Sequence, residues 1–359
     1  MMTVATTIPH SRPAIDRRDL QAAVDVLISG QIAQGPLVEQ FERGMAGFFG
    51  LQGGAAVSSG TAALELALRA LGVGAGDDVI MPSYVCPAPW LATQRVGAQA
   101  ILVDIDLNTC NIDPIAACQA VTPRTRAIIV PHLFGLPADL TGLEQIGIPL
   151  IEDCAQTLGA TEGGRAVGSV GRLTVCSFYA TKLLCAGEGG MVLSNEGRLV
   201  ERVKLLREYD GAATLDPAAF NLKLTDVQAA LGLSQLERLP AFHERRRILA
   251  AGYRQVLSST SVVCPSLPPG RTHGYYRFVI RLPHLRTHPD GLSGLISRLE
   301  QEGIQCRKPV FRPLHRYLDQ SGFPNSDEAD RTALSIPLYP DLTDDEVDQI
   351  QQALIKVFL

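Results

Sequence analysis

Ser177–Gly190 reads SFYATKLLCAGEGG. One cation, Lys182, stands between two apolar runs, and Gly187, Gly189 and Gly190 follow it. An ammonium among apolar neighbours is costly, so the lysine needs a reason. The stretch begins where one strand-like run, Thr174 to Phe178, ends, and it finishes just before another, Met191 to Leu193. A lysine partly desolvated by Phe178, Tyr179, Leu183 and Leu184 can act as an amine nucleophile and form a Schiff base with an aldehyde. The glycines let backbone pass close to a bulky group. A structural lysine with its stem on apolar surface and its head in water accounts for the same residues.

Working outward, five more apolar runs precede this turn: Ala55–Val57, Asp78–Met81, Ala100–Val103, Ala127–Val130 and Leu150–Ile151. Stretches with helical spacing, such as Thr61 to Leu71 and Glu196 to Tyr209, lie between runs. Strands separated by helices predict an α/β fold, a mostly parallel sheet of seven strands flanked by helices. Ligands in such sheets bind beyond the carboxyl ends of the strands, so polar residues just after apolar runs become site candidates. From Leu224 to about Val256 the pattern is helical, with a break expected near Pro240. Beyond it Val262–Val263, Tyr275–Leu282 and the chain from Gln305 read as strands, and Gly291–Glu302 and Asp344–Val357 as helices. We expect a large domain over 1–245 and a smaller α+β domain over 246–359.

Composition narrows the class. The chain has 359 residues and a net charge of −5, which argues against a nucleic-acid surface. The one basic cluster, His243–Arg247, reads as a solvated helix face, and His243, His284 and His288 as surface residues. None of the eight cysteines forms a CxxC pair or a zinc-spaced group, and several lie in apolar runs as free thiols do. That pattern predicts a reducing compartment. With no apolar signal core and no membrane-length run, the expectation is a cytoplasmic protein with no membrane and no metal.

Two further motifs follow strand-like runs. In VSSGTAALELAL, Ser58 to Thr61 form a turn before a helix, and free N–H groups plus hydroxyls there make an anion seat; plain capping by Ser59 or Thr61 is the alternative. In IPLIEDCAQTLGA, Glu152 and Asp153 end a run. A carboxylate there can keep a ring nitrogen protonated, or Asp153 can cap a helix. His132 has a site-like position, but a satisfied structural histidine is the plainer reading. An anion seat, a carboxylate and a lysine on one sheet edge are together what pyridoxal 5'-phosphate requires for its phosphate, pyridinium and aldehyde.

At this point the chain resembles the DegT/DnrJ/EryC1/StrS family of sugar aminotransferases. The likeness runs nearly end to end, through SRPAID, QGPLVEQFE, SSGTAALELAL, PSYVCPA, ILVDID, PHLFGLPADL, IEDCAQTLGA, SFYATK with GEGG, FNLKLTDVQAALG and SIPLYPDLTDDEV. The resemblance implies the aspartate aminotransferase fold, a pyridoxal-phosphate-dependent transferase of fold type I. It implies that Lys182 binds the cofactor and moves the proton, that Asp153 partners the pyridine nitrogen, and that Gln156 lies beside the ring hydroxyl. Ser59, Gly60, Thr61 and Ser177 would contact the phosphate. Asn221 would reach it from a neighbouring subunit, making a homodimer with sites at the interface. Tyr179, Lys223 and His315 are candidates for substrate contact. Cys86 stands where an aromatic residue commonly stacks on the ring, with Trp90 one helical turn on as a possible partner. Lys223 stands where many relatives have arginine, exchanging a bidentate grip for a point charge.

The function implied is transfer of an amino group from an amino acid, by resemblance L-glutamate, to a keto-sugar, nucleotide-linked, in amino-sugar biosynthesis. A cyclitol ketone is a variant acceptor. Sugar dehydratases of this kind replace the lysine with histidine, so Lys182 argues against that activity. A cofactor-binding regulatory protein without turnover is the reading from another class, and the Lys182 and Asp153 pair argues against it.

Overall fold

The apolar runs become strands because β-branched and aliphatic side chains pack well on a pleat buried on both faces. The protein is described here by a computed structural model covering residues 7–210, 216–287 and 290–359. His288, read from the sequence as a surface residue, lies outside them. Strands in chain order are β1 (Gly53–Val57), β2 (Asp78–Pro82), β3 (Gln99–Val103), β4 (Thr125–Pro131), β5 (Leu150–Asp153), β6 (Thr161–Glu162), β7 (Arg165–Ala166), β8 (Leu173–Ser177), β9 (Gly190–Ser194), β10 (Phe278–Arg281) and β11 (Ala333–Ile336). Seven form one sheet in the order β1-β9-β8-β5-β4-β2-β3. Only β9 runs antiparallel to its neighbours in that sheet. All seven strand-like runs read from the sequence lie in it.

Register decides which residues meet at the edge. Pro131 pairs with Asp153, and Asp153 with Val175. Ser177 pairs with Gly190, and Gly190 with Val57. The ends of β1, β4, β5 and β8 and the start of β9 therefore share one edge, where parallel sheets present ligands.

The helix Gly60–Ala70 packs one face of this sheet with Ala63, Leu66 and Ala67 fully buried. On the other face lie the helix Pro36–Phe49 and the helix Asp226–Leu257. This last helix runs 32 residues through Pro240 without the expected break. Pro240 is exposed, so the carbonyl it leaves unbonded is on the solvent side, and packing grips the helix on both sides of it. Gly232 approaches Phe41 so closely that a Cβ would lie 2.6 Å from the ring. Leu239 and Phe242 are buried beyond it.

The basic cluster on this helix is not simply a solvated face. Phe242, Arg246, Leu249, Ala250 and Tyr253 form its buried stripe. Arg246 donates from Nη1 to the carbonyls of Tyr275, Tyr276 and Leu338 at 3.1, 3.2 and 2.8 Å, and burial pulls its guanidinium down to about 9. His243 is half-buried against Gly159. Burial, then the charge of Arg246, lowers its imidazole to about 4. His284 is exposed, as read from the sequence.

The C-terminal part is built on β10 and β11, paired antiparallel, with helices Gly291–Gln301 and Asp344–Phe358. The expected strand near Val262 shrinks to a single bridge, Val263 with Arg281; of the chain from Gln305, Arg307 forms one bridge with Ser335, and the strand proper is β11. Pro265, Pro268, Pro309 and Pro313 remove the donors a longer ladder needs. Tyr253 and Phe278 meet edge to face at 5.4 Å in its core. Ile8 joins the same apolar cluster, bonded through Ile8 N to Gly303 O at 2.8 Å and Gln305 N to Ile8 O at 3.0 Å.

Candidate active site

A cavity of about 260 Å³ opens at the shared sheet edge. Nine of the residues named from the sequence line it: Ser59, Gly60, Thr61, Cys86, Asp153, Gln156, Ser177, Tyr179 and Lys182. They come from four strand ends and the turn after β8, which is why they are scattered in sequence.

The anion seat forms at the start of the helix Gly60–Ala70. Ser59 caps it, its Oγ accepting from Ala62 N at 3.1 Å, so the plain-capping account of that side chain holds. Gly60 permits the next contact. A Cβ there would lie 2.8 Å from Ser177 Cβ, so only glycine lets the end of β8 press against the helix start. Gly190 does the same on the far side, where a Cβ would fall 2.4 Å from Ser59 O. The Ser177 hydroxyl is thereby brought to the electropositive helix end.

Asp153 ends β5 and is buried at 8% exposure. No helix follows it directly, so it is not a cap; among the described residues its Oδ1 accepts from Ala155 N alone, at 3.0 Å. Burial pushes its carboxyl above the ordinary range, with the charges of Lys182 and His132 pulling the other way. Behind it, Glu152 is saturated by Gly168 N, Val170 N, Gly171 N and His132 Nε2 at 2.7, 2.8, 2.5 and 3.0 Å. Burial alone would raise Glu152, but these bonds and the histidine outweigh it and hold the carboxyl low. His132 accepts at Nδ1 from Ala138 N at 3.0 Å, so both ring nitrogens are committed and the structural reading fits. Gln156 is anchored by its carbonyl, which accepts from Phe134 N at 2.9 Å, leaving its amide donors for another partner.

Lys182 is half-buried in a turn closed by its own N–H to Tyr179 O at 2.8 Å. Its Nζ has no carboxylate within ion-pair distance among the described residues. It lies instead 5.2 Å from the centroid of the Tyr276 ring. Tyr276 escaped sequence reasoning because it comes from the C-terminal part and follows no strand end.

Four residues named from the sequence, Asn221, Lys223, His315 and Trp90, do not line this cavity. Asn221 is exposed, on a segment that runs beside the sheet edge through Ser58 N to Leu222 O at 2.8 Å. Lys223 lies 3.2 Å from Asp210 Oδ2 and 3.8 Å from Glu208 Oε2. His315 is buried, with Nδ1 2.6 Å from Ser83 Oγ, Nε2 3.1 Å from Asp327 Oδ1 and its ring stacked on Phe323. Within this chain its ring nitrogens are spent on the fold rather than offered to a ligand. Trp90 packs on the apolar cluster under the sheet and does not reach Cys86's place in the pocket.

The donor set matches a phosphorylated pyridine aldehyde: hydroxyl and N–H groups at a helix start, a buried acid, and an amine, the last two in no ion pair among the described residues. Among solved structures, the aminotransferase TlmJ from Streptoalloteichus hindustanus superposes with a TM-score of 0.88 at 31% identity, covering 96% of this chain and 97% of its own. The PLP-form of the sugar aminotransferase Spr1654 from Streptococcus pneumoniae gives 0.90 at 27% identity, covering 98% of each chain. The spore coat polysaccharide biosynthesis protein SpsC of Bacillus subtilis (strain 168) is 33% identical, over 97% of this chain and 96% of SpsC. Residues 13–355 match one family along nearly the whole length. The chain belongs to the DegT/DnrJ/EryC1/StrS aminotransferase family, and it is an aminotransferase.

Proposed function

We propose that this aminotransferase carries an amino group from an amino acid, L-glutamate, to a keto-sugar held on a nucleotide, with pyridoxal phosphate seated in the cavity at the sheet edge. One observation carries the reading. A buried acid and a lysine, neither in an ion pair among the described residues, line the same cavity beside an open helix start. When bound, the cofactor supplies an aldehyde that holds amines and a protonated ring that takes up electron density. The chain supplies the rest. Asp153 holds a proton on the ring nitrogen, and that cation would draw its raised carboxyl back down. Lys182 carries the proton at Nζ between donor and acceptor carbons. Gln156 donates its free amide toward the ring oxygen, Ser177 with the Gly60 and Thr61 N–H groups grips the phosphate, and Cys86 borders the ring face. Tyr179, 46% exposed at the mouth, meets substrate.

The proposed assembly is a homodimer. The helix Arg17–Ser29 leaves Leu20, Val24, Leu27 and Ile28 exposed on one stripe, and Asn221 and Phe220 are exposed near the sheet edge. A second copy would cover such apolar surface and bring its Asn221 to the phosphate. Lys223 is then the point charge for a nucleotide diphosphate. The two-domain division near residue 245 is supported by the separate apolar cluster around Tyr253 and Phe278. All eight cysteines are free and no described helix is long and apolar enough to cross a membrane, which supports a cytoplasmic setting.

The test loads the protein with pyridoxamine phosphate and screens nucleotide-linked keto-sugars for return of the aldehyde form. Return with a keto-sugar is the expected result. Return with keto acids alone removes the sugar from the proposal.

A further inference from the structure

Lys182 borders two cavities. One is the pocket just described. The other is a small space behind it, bounded by Thr181, Tyr276, Arg277 and Leu338 among others. On that side its Nζ lies over the Tyr276 ring, within cation–π reach. The ring is 6% exposed and fixed from several directions. Arg277 Nη2 donates to its hydroxyl at 3.2 Å, and the Arg277 guanidinium lies 4.8 Å from the same centroid. The other Arg277 nitrogen is held by the ring of His10, 2.7 Å from Nδ1. The Tyr276 backbone is tied by Arg246 from the long helix. Two cations thus share one aromatic ring with no carboxylate paired to either among the described residues.

We propose, resting on the functional reading above, that Tyr276 is a positioning residue for Lys182: its ring face seats the lysine nitrogen whenever that nitrogen is not bonded to the cofactor. An amine-transfer cycle frees this nitrogen and needs it back in each half. A four-carbon stem left free would explore many rotamers; a preformed seat keeps the nitrogen one side-chain swing from the pocket.

The phenol carries the mark of this arrangement. Burial alone would raise it, but Lys182, then Arg277, with bonds from Thr181 and Arg277, bring it down to about 8. Arg12, Cys185, Arg246 and Tyr339 are the other titratable groups around that space.

The experiment follows tyrosinate absorbance of the cofactor-free full chain from pH 6.5 to 9.5. A step of one tyrosine near pH 8 is expected, absent in Tyr276→Phe and moved up by a pH unit or more in Lys182→Met. A step that stays in place in Lys182→Met overturns the proposal. A second measurement acylates lysines in the same protein. Tyr276→Leu should raise labelling of Lys182 several-fold while Tyr276→Phe, which keeps the ring, does not; equal labelling in all three also overturns it. Adding pyridoxal phosphate to the native chain should move the step up as well. If Lys182→Met moves the step and the cofactor does not, the seat stands and the cofactor assignment falls.

Discussion

Asp153 has a carboxyl raised by burial, only partly offset by Ala155 N and the charges of Lys182 and His132, and a cation beside it would offset the rest. Asp153→Asn keeps the shape and the bond from Ala155 N but removes the charge. We expect native-like far-UV spectra and transamination slowed by about a hundredfold or more, the scale of losing one preorganised electrostatic partner; near-normal turnover would exclude the role. Lys182→Ala should abolish both turnover and the visible absorbance that pyridoxal phosphate gives when covalently held, read in a simple spectral titration. The position of both at the sheet edge was legible in the sequence, because each lies at or just beyond an apolar run that reads as a strand. Tyr276 and the inward-turned Arg246 were not. Nothing local marks a tyrosine that reaches a lysine 94 residues earlier in the chain, and an arginine satisfied by three carbonyls looks in sequence like any member of a basic cluster. His315 was placed by motif alone, and its geometry shows why motif is insufficient: Ser83 and Asp327, which hold it, lie far apart in the chain.

Among elements, the firmest tie is at the sheet margin. Glu42 on the helix Pro36–Phe49 accepts from Ala56 N at 2.8 Å and pairs with Arg207, which donates to Ala56 O at 2.8 Å. Both side chains are buried. Glu42→Ala leaves the buried guanidinium with Ala56 O and a 3.8 Å contact to Glu208 Oε1, so a loss of about 3 kcal/mol is expected in urea unfolding. The double change Glu42→Leu with Arg207→Met should recover most of it, since no charge is left without a partner. The seven strands were readable because their apolar runs are short and bounded. The continuous helix through Pro240 was not, because the grip of Phe41 on Gly232 and the burial of Leu239 and Phe242 are tertiary, and tertiary packing overrides a local breaker.

For the molecule as a whole, acid is the informative stress. Burial, then neighbouring arginines, holds His10 and His273 down to about 3 and His243 to about 4. The unfolded chain protonates these rings near the ordinary histidine range, so unfolding takes up protons below it. Their contribution is complete above about pH 6.5 and is lost as pH falls toward 4, by up to about 1.4 kcal/mol per pH unit for each ring. Glu152, held low, adds to the loss at still lower pH, while Asp153, held high, works against it. Melting temperatures between pH 7 and 5 should fall accordingly; a flat profile would mean these rings are solvated. Assembly is tested with mixed dimers, where Asn221→Ala in one subunit should weaken cofactor retention in the other. Unchanged retention would remove Asn221 from the site.

The pairing of Ile8 with Gly303 and Gln305 has a temporal consequence. During synthesis Ile8 is made before every strand of the large sheet, yet its hydrogen-bonding partners, Gly303 and Gln305, are made after all seven. This clasp therefore closes only after the residues of the sheet have been made. A substitution that displaces Ile8 would be felt at Gly303 and Gln305, far along the polypeptide.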